Sequence, residues 1–403
     1  MHSRKPELEQ RHISVWQSVF DATYTSSSAA GAVDDYAGWT DSGGRQQIPD
    51  PDMREWADDA AASVSALRPG RLLEVGCGTG LLLRRLAHDC RYVGTDLSAA
   101  ALTRAAAASD ATVEGLHQLP AHEIDSLGGG FDAVVLNSVV QYFPGLDYLR
   151  DVLHQAVEAV AGTGHVFVGD VRHVDLLDAQ AAAELDAGEG VPLDPERLRH
   201  RVRAHRQGNE LAVRPTVFEE IHPRVTNVRV RPKTIHPRTA MARFRYDVVL
   251  TVDGQPPQRA GTSRAWETIG SNEALRVLVE EFGSEARGAE SLEITGIANA
   301  NIRASAGTGS ERGPAHRWAI GPRDLRQLVE SHGLASELSW RSCLPDGSFD
   351  AVLHRGAEGV EIGARGSAET EDAWFTSAAP STSPLDALRR VHTDFAGAPR
   401  PEV

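Results

Sequence analysis

Between Arg71 and Arg172 the chain alternates short apolar runs with amphipathic segments, and this rhythm limits the possible folds more than any other feature of the 403 residues. RLLEV (71–75), RYVGTD (91–96), ATVEGL (111–116), FDAVVLN (131–137) and GHVFVGDV (164–171) read as strands. LLLRRLAHD (81–89), LSAAALTRAAAAS (97–109) and LDYLRDVLHQAVEAV (146–160) read as helices between them. Strands separated by helices of about 10–15 residues imply a mainly parallel, doubly wound α/β sheet with right-handed crossovers. The first strand runs directly into Gly76-Cys77-Gly78-Thr79-Gly80. Glycines there permit a tight turn and a close backbone approach, in the crevice where open α/β sheets take their ligands.

The flanks differ from this core. Residues 1–60 are expected to form a helical cap, with helices at SVWQSVFDATY (14–24) and from MREW (53–56) onward, and a turn-rich loop between them. Its aromatic residues, among them Tyr24, Tyr36 and Trp39, suit either packing or a cover over a site. The core is expected over 61–175, and 176–355 should add helices and strands as an α+β subdomain. In that region NVRVRPK (227–233), MARFRYDVVLTV (241–252) and SLEITGI (291–297) read as strands. LPDG (344–347) signals a hairpin between ASELSWRS and SFDAVLHR. Residues 305–314 read as a flexible loop and 356–403 as a poorly ordered tail.

Composition narrows the function. With 41 basic and 56 acidic residues the formal charge is −15, against a duplex nucleic-acid partner and against an anionic membrane surface. No stretch approaches the roughly 18 apolar residues of a membrane span, and MHSRKPELEQ lacks an apolar signal core, so a cytoplasmic location is expected. Cys77, Cys90 and Cys343 form no CxxC pair, and IHPR at 221–224 and 235–238 lacks partners at ligand spacing, so no metal is expected. Lysine occurs only at positions 5 and 233, an arginine bias typical of a GC-rich bacterial genome.

A dinucleotide fingerprint would need glycine at position 81, which is Leu81, and this counts against a nicotinamide oxidoreductase. Glu74 followed by Gly76, Gly78 and Gly80 instead resembles the motif of class I S-adenosylmethionine-dependent methyltransferases. Asp96 ends the next strand 20 residues beyond Gly76, where a carboxylate accepts ribose hydroxyls. NSVVQYF (137–143), GDVR (169–172), RFRYDVVL (243–250) and PDGSFDAVLHR (345–355) narrow the resemblance. They look like the methyltransferase domains embedded in nonribosomal peptide synthetases, over about Trp16 to Arg355. No adenylation, condensation or carrier sequence accompanies them in this chain.

The resemblance implies a Rossmann-like fold, S-adenosyl-L-methionine as cofactor and S-adenosyl-L-homocysteine as product. It implies methylation, foremost of nitrogen, on an amino-acid-derived or peptide substrate, free or carrier-bound. O- or C-methylation of a small metabolite, and a non-catalytic cofactor-binding partner of a biosynthetic assembly, stay open. The cofactor surroundings it implies are Tyr24, Trp39, Glu74, Gly76, Gly78, Gly80, Asp96, Leu97, Asn137 and Ser138, with Ala121 and His122 near the adenine. Gln141 and Tyr142 would line the methyl-transfer site. Asp170, Arg172, His173 and Tyr246 are the other candidates for catalysis. Asp170 suits a cationic amine or its proton, His173 suits proton transfer near neutral pH, and Tyr246 points either to substrate or into the sheet. For Asp170 the alternative is an ion pair with Arg172, and for His173 a surface position.

Overall fold

The computed structural model describes residues 4–26, 34–36, 38–40, 47–107, 112–185, 194–208, 210–255, 261–284, 290–303, 318–341 and 346–355. The loop expected at 305–314 and the tail expected at 356–403 lie outside these residues. Two compact units emerge, and the chain leaves the first inside a strand, between Gly169 and Asp170. The first unit holds the described residues up to Gly169 together with 207–211, and the second holds the others.

The first unit is the expected α/β core with its N-terminal helices. Its elements are α1 (Arg4–Ser26), α2 (Asp50–Ser65), β1 (Arg71–Val75), α3 (Leu83–Leu86), β2 (Arg91–Asp96) and α4 (Ala99–Ala107), then β3 (Val113–Gln118), β4 (Phe131–Asn137), α5 (Leu146–Ala159) and β5 (Val160–Arg172). The strand order is β3-β2-β1-β4-β5, all parallel. The central strands are apolar almost throughout because helices cover both sheet faces; Leu72, Leu73, Val134, Val135 and Leu136 are fully buried. In α5, Leu146, Leu149, Leu153, Ala156 and Val157 repeat at helical spacing and turn inward. In α4, Ala101 and Ala105 are the buried pair at i,i+4. α3 is shorter than LLLRRLAHD promised, because Leu81 and Leu82 are still part of the turn that follows the glycines.

The second unit begins with the last residues of β5, and its strands continue the order as β5-β7-β6. It holds α6 (Leu177–Leu185), α7 (Pro195–Arg206), β6 (Val225–Pro232), α8 (Ala240–Phe244) and β7 (Arg245–Val252). MARFRYDVVLTV is therefore not one strand: the Thr239 side chain accepts the Ala242 N–H and caps a short helix over its first residues. Antiparallel pairing of β6 with β7 follows. Then come β8 (Thr262–Ala265), α9 (Trp266–Ile269), α10 (Asn272–Ser284), β9 (Ser291–Ile297), α11 (Ala300–Arg303), α12 (Pro322–Ser331), β10 (Leu334–Ser339) and β11 (Phe349–Arg355). A second sheet has the order β10-β11-β9-β8. β10 and β11 form the expected antiparallel pair, with Gly347 in a left-handed conformation at the connection. β8 is exposed along its length and carries no apolar alternation to announce it.

Inside this unit the ammonium of Lys233 lies 2.6 Å from Asp247, with both side chains almost wholly buried. The same carboxylate accepts the backbone N–H of Asp170 at 2.8 Å. Removing one partner of such a pair leaves a buried charge without compensation. Asp247→Ala should therefore lower the unfolding free energy by about 3–5 kcal/mol, measured by urea titration. Lys233→Met combined with Asp247→Leu should recover most of that loss.

Candidate active site

The turn after β1 is built from backbone. The N–H groups of Gly76 and Cys77 both donate to the Thr95 carbonyl at 2.8 Å, and the N–H of Gly78 donates to Asp96 Oδ2 at 2.8 Å. Gly76, Gly78 and Gly80 all have positive φ, at 78°, 54° and 86°. Each glycine answers to a different neighbour. A Cβ on Gly76 would meet Val139 at 2.7 Å, and one on Gly80 would press the α4 backbone at Ala105 at 3.4 Å. One on Gly78 would find only the Tyr24 hydroxyl within 4 Å, at 3.8 Å. The loop is packed from beneath and has room above Gly78.

Two carboxyls sit under this loop in unlike states. Asp96 Oδ1 accepts the Ser98 N–H at 2.8 Å, and its Oδ2 holds Gly78. Burial raises its pKa to about 6, and those two backbone N–H groups pull the other way. Glu74 is buried, accepts the Tyr92 hydroxyl, and is pushed by burial up to about 8, so it is neutral at pH 7. Leu97, next to Asp96, has its carbonyl bound by the Gln118 amide at 3.1 Å.

At the end of β4 the backbone is strained. Ser138 has φ 56°, unusual for a residue with a Cβ. Its N–H donates to the Gly169 carbonyl at 3.0 Å. The Asn137 side chain lies over Gly169, where a Cβ would stand 2.1 Å from its Oδ1. Gln141 donates its amide to the Ser138 carbonyl at 3.0 Å and hydroxyl at 2.9 Å. Asn137 Oδ1 and Gln141 Oε1 are buried acceptors that no described residue satisfies. Buried acceptors of that kind call for a donor. Tyr142 packs on Trp16 and Phe20 of α1, with ring centroids 4.6 and 5.1 Å away, and Phe20 stacks on Tyr24. α1 thus brings Tyr24 to the glycine turn.

The other expected cofactor residues lie farther along these elements. Ala121 is buried at the start of a 3₁₀ turn, and His122 Nδ1 lies 2.9 Å from the Tyr148 hydroxyl. Trp39 packs on Trp56 of α2 at 4.6 Å, and Tyr36 donates to Asp34 at 2.9 Å.

The four remaining candidates, Asp170, Arg172, His173 and Tyr246, lie in the second unit. Asp170, fully buried, is paired with Arg245 at 2.6 Å. Arg172, also buried, has Nη2 3.4 Å from His205 Nδ1, whose ring is held by Glu184 at 2.9 Å. His173 is not at the surface: its ring meets Tyr246 and Trp340 edge-on, and burial drives its pKa down to about 4. Its Nδ1 accepts the Asp175 N–H at 3.3 Å, so the lone pair a base needs is in use. Tyr246, fully buried, donates its hydroxyl to the Val213 carbonyl at 2.9 Å and points into the packing.

Sequence reading passed over four residues around the glycine turn. Asp34 is bound by Arg85 at 2.9 and 3.1 Å, and Asp35 by Arg104. The paired carboxylates and the one charge in the alanine helix AAALTRAAA were the signals available.

Residues 73–166 match a family described as a methyltransferase domain, and this span runs from the first glycine strand into β5. The chain carries a class I S-adenosylmethionine-dependent methyltransferase domain. It is 41% identical over 246 residues to a probable non-canonical nonribosomal peptide synthetase of Salinispora arenicola, covering 59% of this chain and 3% of that protein. It is 33% identical over 386 residues to the chondramide synthase of Chondromyces crocatus, covering 87% of this chain and 10% of that protein. The methyltransferase chain thus spans a tenth or less of these relatives. Among solved structures, the N-methyltransferase NodS of Bradyrhizobium japonicum with S-adenosyl-L-homocysteine is 18% identical, covers 60% of this chain and 99% of that chain, and has a TM-score of 0.41.

The residues around the turn fit this cofactor. Asp96 has a fixed carboxylate for hydroxyl donors, Gly78 leaves open backbone, and the two orphan oxygens near β4 suit N–H donors. Among the described residues no cluster suited to a metal ion occurs. Asp96→Ala and Gly78→Ala should each weaken S-adenosylmethionine binding in calorimetry without changing the far-UV spectrum. For Asp96 the loss is worth about 1.5–3 kcal/mol, one charge-assisted hydrogen bond. Hydroxyl donors favour the ionised carboxyl, so wild-type affinity should fall as pH drops through about 6.

Proposed function

We propose that the domain transfers a methyl group to nitrogen of an amino-acid-derived or peptide substrate, presented free or on a carrier, in the cytoplasm. One observation carries this reading: the likeness to a probable nonribosomal peptide synthetase extends over 59% of the chain, and that to the chondramide synthase over 87%. When bound, S-adenosylmethionine supplies an electrophilic methyl on a sulfonium. The protein's own residues then have to bind, align and dry the site. Asp96 holds the ribose hydroxyls, the open backbone at Gly78 lies along the ligand, and Asn137 takes a donor at the end of β4. Gln141, its amide fixed on Ser138, offers Oε1 to an N–H, while the Tyr142 ring fixed on α1 excludes water. Alignment of this kind provides a large part of the rate for an in-line displacement.

The acceptor amine attacks only in its neutral form. With His173 Nδ1 and the Tyr246 hydroxyl both engaged, this reading sends the released proton to water. Turnover should therefore rise with pH through a single ionisation that belongs to the acceptor. His173→Gln should leave that profile in place. The test supplies aminoacyl N-acetylcysteamine thioesters and free amino acids with S-adenosylmethionine, follows S-adenosylhomocysteine, and locates the new methyl by fragmentation mass spectrometry. A methyl on oxygen or carbon would reject nitrogen as acceptor. Cofactor binding without turnover on any acceptor would favour the non-catalytic partner.

A further inference from the structure

The segment 34–36 and the end of α1 are fastened over the glycine turn by one side chain. Arg104 projects from α4 and donates one nitrogen to the Asp35 carboxylate and another to the backbone carbonyl of Tyr24. The two acceptors are separated in the chain by 11 residues, so the guanidinium ties the end of α1 to the segment at 34–36. Its planar fork suits such a double grip, where a lysine ammonium does not. Each acceptor is next to the turn. The Thr79 hydroxyl donates to the Asp35 carbonyl at 3.3 Å, and the Tyr24 hydroxyl is the nearest atom above Gly78. The neighbouring Asp34 is held in the same way by Arg85, which also grips Asp58 of α2 at 2.7 Å. The side chains of Arg104 and Asp35 are 15% and 8% exposed, enough burial to protect the pair from salt screening.

We propose that Arg104 and Asp35 are positioning residues that clamp Tyr24 onto the glycine turn and so set how long the cofactor stays bound. Neither touches the reacting atoms. Their effect passes through Tyr24 and Thr79, and a weakened clamp speeds exchange while leaving the bound geometry competent for transfer. This rests on the glycine turn being the cofactor site.

The experiment measures S-adenosylhomocysteine release from the full chain by a stopped-flow chase, alongside KM for S-adenosylmethionine and kcat. Arg104→Ala should release product at least about tenfold faster, the effect of one charge-assisted hydrogen bond, and raise KM with kcat little changed. Asp35→Asn should act in the same direction, and the double variant should exceed Arg104→Ala only slightly, because both remove one shared contact. Arg104→Lys should fall between, since it can reach one acceptor; with Asp35→Asn it decides the matter if Arg104→Ala fails to fold. Folded variants that release product at the wild-type rate, or that lose kcat with KM unchanged, overturn the clamp. Wild-type protein that binds no S-adenosylhomocysteine overturns the cofactor reading, and the clamp with it. Wild-type binding with unaltered release in the variants overturns the clamp alone.

Discussion

Everything around the candidate site depends on how the backbone between β1 and α3 is tied to the end of β2. Three successive N–H groups, those of Gly76, Cys77 and Gly78, find acceptors on Thr95 and Asp96. A turn with unpaired buried N–H groups would cost a few kcal/mol, so this set of bonds fixes the path of the loop. Val139 beneath Gly76 then leaves no space for a side chain there, and at Gly80 the positive φ disfavours one. The fold's parallel register, Val75 beside Thr95, is what brings the acceptors level with the donors.

The electrostatics follow from burial beneath that turn. After burial, the charge of Asp96 adds to the rise in the Glu74 pKa, since two adjacent carboxylates in a dry site repel. The structure relieves the conflict asymmetrically. Tyr92 covers Glu74, which keeps its proton, while backbone N–H groups stabilise the charge on Asp96. Farther out, the carboxylates of Asp34 and Asp35 are neutralised by guanidinium groups.

Much of the fold was legible because its signals are local. Apolar runs of five to seven residues, glycine after the first strand, and helical spacing in LDYLRDVLHQAVEA are properties of neighbouring residues, and those elements stand where they were expected. One miss was local: the strand reading of MARF yielded to a cap at Thr239. The others were decided at a distance, and TSRA became a strand only through pairing with β9. His173 and Tyr246 had suitable chemistry, but Trp340 and Val213, far away in sequence, bury the ring and occupy the hydroxyl. Asp170 is held by Arg245, 75 residues away in the chain. Residue types suggest a base; only packing shows whether its lone pair is free.

The burial of Lys233 has a chemical consequence. The chain has only two lysines, and this one is enclosed, protonated and held against Asp247. An ammonium has no lone pair, so it resists acylation. The place of Lys233 in the packing therefore shields it from electrophiles such as activated acyl groups. Of the two lysines, the one at position 233 is thus closed to acylation, and the many arginines that supply the remaining positive charge are inert to it. Amine-reactive labels would meet the same barrier at Lys233.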